Sequence, residues 1–377
     1  MKIIIDGTSL ARKITGIENY TLNLIKHLGQ LDYNPENSYY ILFRNEVPKD
    51  IKFPKNFKTI LSPFKSQLLT EQIWIPFITY KLKPDLIHFP AFPPPLLVKK
   101  NTIFTVFDAT MWKYVHTLSL KNRLYMKPLT NRGIKIANKI ITISNSSKND
   151  LEEMFPGEKE KITNSGISIS KNFFPEKNKI LLSKIKTKYQ LPTNFFLTVG
   201  SLEPRKNLVF LIESFIEFKK QNKNNYKLVI TGRNAWGKSE IFEMVQSHNM
   251  NSEIIFTGYV SDNELRSLYS LSDYFVFPSI YEGFGLPVLE AMACGTPVII
   301  SNSSSLPEVG GDAAIYFNPK SKESLITALL GVINESYNYR ELQRKCLERQ
   351  THFSWNEVAH KINEEYKRVY NKITIGG

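Results

Sequence analysis

The sequence predicts an α/β fold of two doubly wound, Rossmann-like domains facing each other across a cleft. Three observations carry this. The chain has 377 residues, enough for two domains of about 100–200 residues each. Short apolar runs rich in β-branched residues alternate with helical spacing along nearly the whole length, the pattern of parallel sheets with helical crossovers. A lysine-rich stretch containing Phe174-Pro175 and Leu191-Pro192 separates two series of such runs.

In chain order, the first series reads as strands at Lys2–Ile5, Tyr40–Phe43, Leu86–Phe89, Ile103–Phe107 and Lys139–Ile143, with helical spacing over Asn19–Leu28 and Lys121–Ala137. The second reads as strands at Phe195–Val199, Leu228–Ile230, Ile254–Phe256, Tyr274–Phe277 and Pro297–Ile300. Trp355–Tyr370 has helical spacing and no strand after it. The expected division is an N-terminal domain over 1–171, a linker with one helix over 172–192 and a C-terminal domain over 193–351. A helical segment over 352–377 should pack back on the N-terminal domain. Open parallel sheets bind ligands at the carboxyl ends of their strands, so the chemistry is expected in the loops that follow them.

A hydrophobic share of 42% with 22% charged residues is ordinary globular composition and excludes fibrous or extensively disordered structure. The charge balance of 49 − 35 = +14 favours anionic partners: phosphorylated metabolites, nucleic acid or an anionic membrane surface. No nucleic-acid-binding module or basic–aromatic stripe is present, so nucleic acid is not expected. Cys294 and Cys346 make no disulfide framework and point to a reducing compartment. Asp6 interrupts the first apolar run too early for a secretory signal, and no uncharged apolar stretch reaches the ~18–20 residues of a membrane span. The expected location is therefore the cytoplasm, with room for peripheral attachment at the inner face of the membrane.

The richest segment is Tyr281-Glu282-Gly283-Phe284-Gly285-Leu286-Pro287, continuing through Glu290 to Gly295. It follows a strand. Gly283 and Gly285 suit a tight turn that lets backbone approach a ligand. Pro287 suits the first turn of a helix and Gly295 its end. Glu282 then lies on the loop and Glu290 on the helix, whose N-terminus offers N–H groups to an anion. A capped helix with two solvated glutamates is the plain alternative. In the second segment, Val199-Gly200-Ser201-Leu202-Glu203-Pro204-Arg205-Lys206-Asn207, a strand ends and two cations precede a helix. Arg supplies a fork and Lys a point charge, together suited to a pyrophosphate, and Asn207 is placed to cap the helix. An exposed basic loop is the alternative. In the third, Gly16 precedes a helix after the first strand, where a phosphate can approach.

Arg205-Lys206, the pair Glu282 and Glu290 with seven residues between them, and Asn302-Ser303-Ser304-Ser305-Leu306-Pro307-Glu308-Val309 together resemble the retaining nucleotide-sugar glycosyltransferases of the GT-B fold, specifically the large group-1 family (family four). The resemblance spans nearly the whole chain and is strongest from Phe196 to Pro319. It implies that Glu282 lies by the donor sugar's hydroxyls, that Glu290 accepts from the ribose hydroxyls and that Arg205 and Lys206 hold the diphosphate. It also implies that Gly200 and the backbone of Gly283, Phe284, Gly285 and Leu286 face the donor, and it matches Gly16 to the family's glycine at the cleft. Where the family often has His-Asp, this chain reads Phe107-Asp108. Asp108 is carried over, the histidine role at Phe107 is excluded, and His116 is the nearest substitute.

The resemblance implies retention, with the acceptor attacking on the leaving-group face. No Asp-x-Asp motif or His/Cys cluster with ligand spacing appears, so no metal cofactor is expected and the two cations would take its place. The Glu203–Asn207 and Glu282–Asp312 segments lean towards bacterial polysaccharide and O-antigen mannosyltransferases. GDP-mannose is thus the favoured donor, a UDP-sugar the alternative, and a glycan or polyprenyl-linked glycan the expected acceptor. Phe64, Trp74, Phe77, Phe89, Phe92, Trp112 and Tyr114 crowd the half where the acceptor would bind, which keeps an anionic membrane surface among the partners.

Two rivals remain. Gly232-Arg233-Asn234-Ala235-Trp236-Gly237-Lys238-Ser239 matches the phosphate loop of NTPases and kinases. Bulky Arg and Trp fill the part that should wrap a phosphate, and the nearest Asp partner, Asp108, is more than a hundred residues upstream. Turnover would need Lys238 in that reading and Lys206 in the other. A non-catalytic two-domain sugar-binding protein is the second rival, and the missing export signal counts against it.

Overall fold

Lys2–Asp6 (β1) is the seed of the first sheet: Ile3, Ile4 and Ile5 are completely buried, as a strand covered on both faces requires. It pairs in parallel with Ser38–Phe43 (β2), which pairs outward with Phe57–Leu61 (β3). On its other side Leu86–Phe89 (β4), Thr102–Thr105 (β5), Lys139–Thr142 (β6) and Ile162–Asn164 (β7) follow in turn. These come from a computed structural model, which describes every residue except 12–15, 32–36, 49–52, 99–100, 118, 202, 223, 233–239 and 376–377.

The second sheet repeats the plan. Phe195–Val199 (β8) sits inside, flanked by Lys227–Thr231 (β9) with Ile254–Gly258 (β10) on one side. Tyr274–Phe277 (β11), Val298–Ser301 (β12) and Ala314–Phe317 (β13) lie on the other. The order β10-β9-β8-β11-β12-β13 is the 3-2-1-4-5-6 order of dinucleotide-binding sheets, with its switch point between β8 and β11. Helices Leu208–Gln221 and Lys322–Ile333 cover this sheet, placing Leu211, Ile212, Phe215 and Leu325 against Phe196, Ile230 and Val276. Burying each such side chain contributes roughly 1.5–3 kcal/mol.

The chain divides into two compact units, Met1–Ser168 with Ser354–Gly377, and Ile169–Phe353. Residues 172–192, expected as a linker, are built into the second unit. Helix Lys179–Lys188 packs on helix Asp262–Leu271, and Arg266 pairs with Glu176 at 2.7 Å and donates to the Asn172 carbonyl at 3.2 Å. The last helix, Trp355–Ile375, belongs to the first unit and packs on helix Gly16–Leu28. Its Tyr366 hydroxyl lies 2.7 Å from His88 Nδ1 on β4, whose Nε2 lies 2.9 Å from Thr105 Oγ1 on β5. Burial pushes the His88 pKa down to about 3, so the ring stays neutral between its two hydroxyl partners. Among the described residues no helix is long and apolar enough to cross a membrane.

Candidate functional site

The switch point of the second sheet gathers the two strongest sequence segments. The loop after β8 carries a short turn at Pro204–Lys206, and the loop after β11 carries Tyr281 to Gly285. One backbone bond ties them, Ile280 N–H donating to the Arg205 carbonyl at 2.8 Å. Across this junction the buried Glu282 carboxylate accepts from Arg205 Nη1 at 3.0 Å and from Lys206 Nζ at 2.6 Å. Both cations are mostly buried, at 19% and 13% side-chain exposure, so these charges meet where water screens them less than at the surface. Arg205 Nε also pairs with the exposed Glu203 at 2.8 Å, and Lys206 Nζ stands 5.3 Å from the centre of the Phe277 ring. Glu203 is half-exposed and screened by water, so inside the junction two cations face the one enclosed carboxylate, Glu282, at the carboxyl edge of the sheet.

The loop is held rigidly. Glu282 N–H donates to Ser304 Oγ at 2.8 Å, and the Ser304 and Ser305 hydroxyls lie 2.9 and 3.0 Å from the Glu282 carbonyl. Ser305 Oγ also lies 2.8 Å from the Phe284 carbonyl, and the Phe284 ring stands edge-on to Phe353. Gly285 has φ +105, and a Cβ there would fall 2.6 Å from Leu306 Cδ2, so glycine is required both for conformation and for space. Helix Leu286–Ala293 starts there with Pro287 in its first turn and no side-chain cap, and Gly295 follows its end at φ +77. Its uncapped N-terminus, the positive end of the helix dipole, directly follows the loop that carries Glu282. Glu290, on the same helix, accepts from the buried Tyr269 hydroxyl at 3.1 Å. Burial, reinforced by Asp262, pushes its pKa up to about 7.

The remaining candidates divide by position. Gly200 follows β8 beside Lys206, whose Cβ would lie 3.8 Å from a Cβ placed on the glycine. In the first unit Gly16 opens helix Gly16–Leu28 with open space where a side chain would be. Asp108 Oδ1 accepts from Thr110 N–H at 2.8 Å and so shapes the turn after β5, while Phe107 packs edge-on to Tyr20. His116 is exposed and stands beside the Tyr114 ring, 6.2 Å between centres. Asn207 does not cap its helix as expected. It adopts a left-handed conformation, and its Nδ2 donates to the Pro319 carbonyl at 3.0 Å. The phosphate-loop match lies outside the described residues from 233 to 239. Among the described residues no three His, Cys, Asp or Glu side chains gather as metal ligands would.

Sequence reasoning gave no role to Tyr269, Ser304 or Ser305. The serines sit in a segment marked only by resemblance, and nothing local marks a tyrosine that meets Glu290 from a neighbouring helix.

Two parallel-sheet, Rossmann-like units define the GT-B architecture. Sucrose-phosphate synthase from Thermosynechococcus elongatus shares the fold with a TM-score of 0.72 at 19% identity, over 98% of this chain and 99% of that one. Anabaena HepE, solved with UDP-glucose, gives 0.70 at 16% identity over 98% and 100%. The family model for glycosyl transferases group 1 matches residues 182–352. O-antigen chain mannosyltransferase B from Escherichia coli is 27% identical over 385 residues, covering 97% of this chain and all of that protein.

Proposed function

We propose that the protein is a retaining, metal-independent glycosyltransferase that moves mannose from GDP-mannose to a glycan or polyprenyl-linked glycan in surface polysaccharide biosynthesis, acting in the cytoplasm. The observation that carries this reading is the Arg205–Glu282–Lys206 cluster at the switch point of a glycosyltransferase domain. Breaking a sugar–phosphate bond builds positive charge on the ring and negative charge on the departing diphosphate. Arg205, Lys206 and the amides at the start of helix Leu286–Ala293 supply fixed positive potential for that leaving group. Glu282 holds both cations in place and, carried over from the family, faces the sugar's hydroxyls. Gly16, Gly200, Asp108 and His116 complete the proposed donor-side set. The mannosyl donor is favoured by the full-length likeness to an O-antigen mannosyltransferase. A UDP-sugar is the second choice, on the likeness to a fold solved with UDP-glucose.

A thermal-shift panel tests the donor. Binding to the folded chain alone stabilises it by RT ln(1 + [L]/Kd), so GDP should raise Tm more than UDP or ADP, with EDTA present or absent. An equal response to all three, or a shift that appears only with magnesium or manganese, removes this reading.

Binding should also depend on pH through Glu290. In the folded chain this carboxyl keeps its proton up to about pH 7. Acid therefore favours the folded state between roughly 4.5 and 7, and that contribution is lost as pH rises through 7. A nucleotide ribose donates to the ionised form, so binding should expel the proton. Affinity for GDP measured calorimetrically should be about tenfold weaker at pH 6 than at pH 8 and should level off above it. A flat profile in the parent protein would remove Glu290 as the ribose acceptor, whereas Glu290→Gln should be flat and weak throughout.

A further inference from the structure

Half of the exposed large hydrophobic side chains among the described residues, nine of eighteen, fall in three short segments of the first unit. Residues 67–82 form one continuous helical stretch, widened by a π-turn at Thr70–Trp74. Its inner face buries Glu71, Trp74, Ile75 and Ile78. Its outer face carries Leu69, Ile73, Phe77 and Tyr80, at spacings of four, four and three, with exposures of 39, 53, 59 and 80%. The helix is thus apolar on both sides, although only one side meets the core.

The other two segments join this stripe. Gln72 stitches them together: its Nε2 donates to the Tyr125 hydroxyl at 3.0 Å, and its Oε1 accepts from Leu96 N–H at 3.0 Å. A cavity of about 220 Å³ between Leu68 and Tyr125 continues the surface. Leu97 adds 71% exposure, and Leu120 and Leu124 add 74 and 73%. A patch of this kind on a chain in water marks an interaction site.

Its charge identifies the partner. In residues 61–83 and 119–127 the exposed charges are Lys65, Lys81, Lys83, Lys121 and Arg123, while the one acid, Glu71, is buried. Aliphatic and aromatic side chains rimmed by cations, with a tyrosine at the border, suit the headgroup boundary of an anionic bilayer. Each well-placed cation adds attraction to such a surface, and added salt screens it. We propose that the outer face of residues 67–82, with Leu97, Leu120 and Leu124, is the surface by which the chain lies on anionic lipid. Of the aromatic side chains that crowd this half of the sequence, Phe77 lies in the stripe, whereas Trp74 and Phe89 are core. The proposal goes beyond the donor assignment and does not rest on it.

Flotation of the full chain with vesicles tests it, comparing phosphatidylcholine alone with mixtures containing phosphatidylglycerol. The parent should float with the anionic vesicles and not with the neutral ones. Ile73→Ser with Phe77→Ser, both at exposed sites, should lower the bound fraction at least about tenfold at any salt. Lys81→Ser with Lys83→Ser should weaken binding at low ionic strength and little above about 0.1 M, where screening shortens the attraction to ~10 Å. Thermal shift with GDP on the same samples reports folding and donor binding separately and should match the parent. Equal behaviour on both vesicle types, or apolar-pair variants that float like the parent, overturns the proposal. A concentration-dependent dimer abolished by those variants would assign the patch to a second copy instead, and also overturns it.

Discussion

Lys206→Ala and Arg205→Ala should each lower kcat/KM by at least about a hundredfold, because removing one aimed donor from a developing anion costs ~2.7–4 kcal/mol. The geometry sharpens the expectation. Both cations converge on one buried carboxylate, with Lys206 at 2.6 Å and Arg205 at 3.0 Å from its oxygens. Truncating either leaves Glu282 enclosed with half its compensation, so the surviving cation is held more tightly by Glu282 and is less available to a diphosphate. The two losses should therefore be strongly non-additive in the double variant. Glu282→Gln separates binding from turnover. It keeps the size, removes a negative charge and turns one of the two acceptor oxygens into a donor amide, which frees one cation from the pair, so GDP should bind at least as tightly while kcat falls. Steady-state kinetics with the donor chosen by thermal shift checks all four variants. Near-parent activity in both single cation variants would take the pair out of the reaction.

How much of this was legible beforehand follows from burial. Central strands such as β1, β8 and β12 lie between helical layers, so they appear as unbroken apolar runs like Ile3-Ile4-Ile5 or Val298-Ile299-Ile300. The three strands the sequence did not reveal, β3, β7 and β13, all lie at sheet edges. Phe57–Leu61 shows mostly exposed side chains, Ile162–Asn164 is only three residues long, and Ala314–Phe317 alternates. An edge strand needs less apolar sequence, and its pairing is decided by its neighbour rather than by its own pattern. The site divides in the same way. Arg205, Lys206 and Glu282 were legible because loops after neighbouring strands meet at the switch point. Tyr269, Ser304 and Ser305 are supplied by other elements once the sheet exists, and no local spacing announces them. Asn207 shows the converse error: a residue type that caps helices was expected to do so, but at φ +57 it leaves the extended conformation that a capping side-chain oxygen needs, and its Nδ2 donates to the Pro319 carbonyl.

Gly285→Ala should lower the Tm of the second unit by about 5–10 °C and abolish the stabilisation that GDP gives, although it adds a single methyl group. Two costs combine. At φ +105 an L-residue sits in a sparsely populated region at roughly 1–3 kcal/mol, and each kcal/mol shifts the Tm of a domain this size by about 2–4 °C. The new Cβ would also stand 2.6 Å from Leu306 Cδ2, the far end of a completely buried side chain. The loop cannot swing aside to relieve either cost. Ser304 and Ser305 hold the Glu282 and Phe284 carbonyls, and Phe284 is packed against Phe353. Pairing the change with Leu306→Ala tells the causes apart. It removes the clash but opens a cavity in a buried site, at about 2–5 kcal/mol, and leaves the backbone strain untouched. The double variant should therefore be no more stable than Gly285→Ala, and differential scanning calorimetry of the three variants reads this directly. Recovery of the parent Tm in the double variant would mean that packing alone demands the glycine. An unchanged Tm in Gly285→Ala would mean that the loop is free to move, and the rigid placement of Glu282 and the helix start would fall with it.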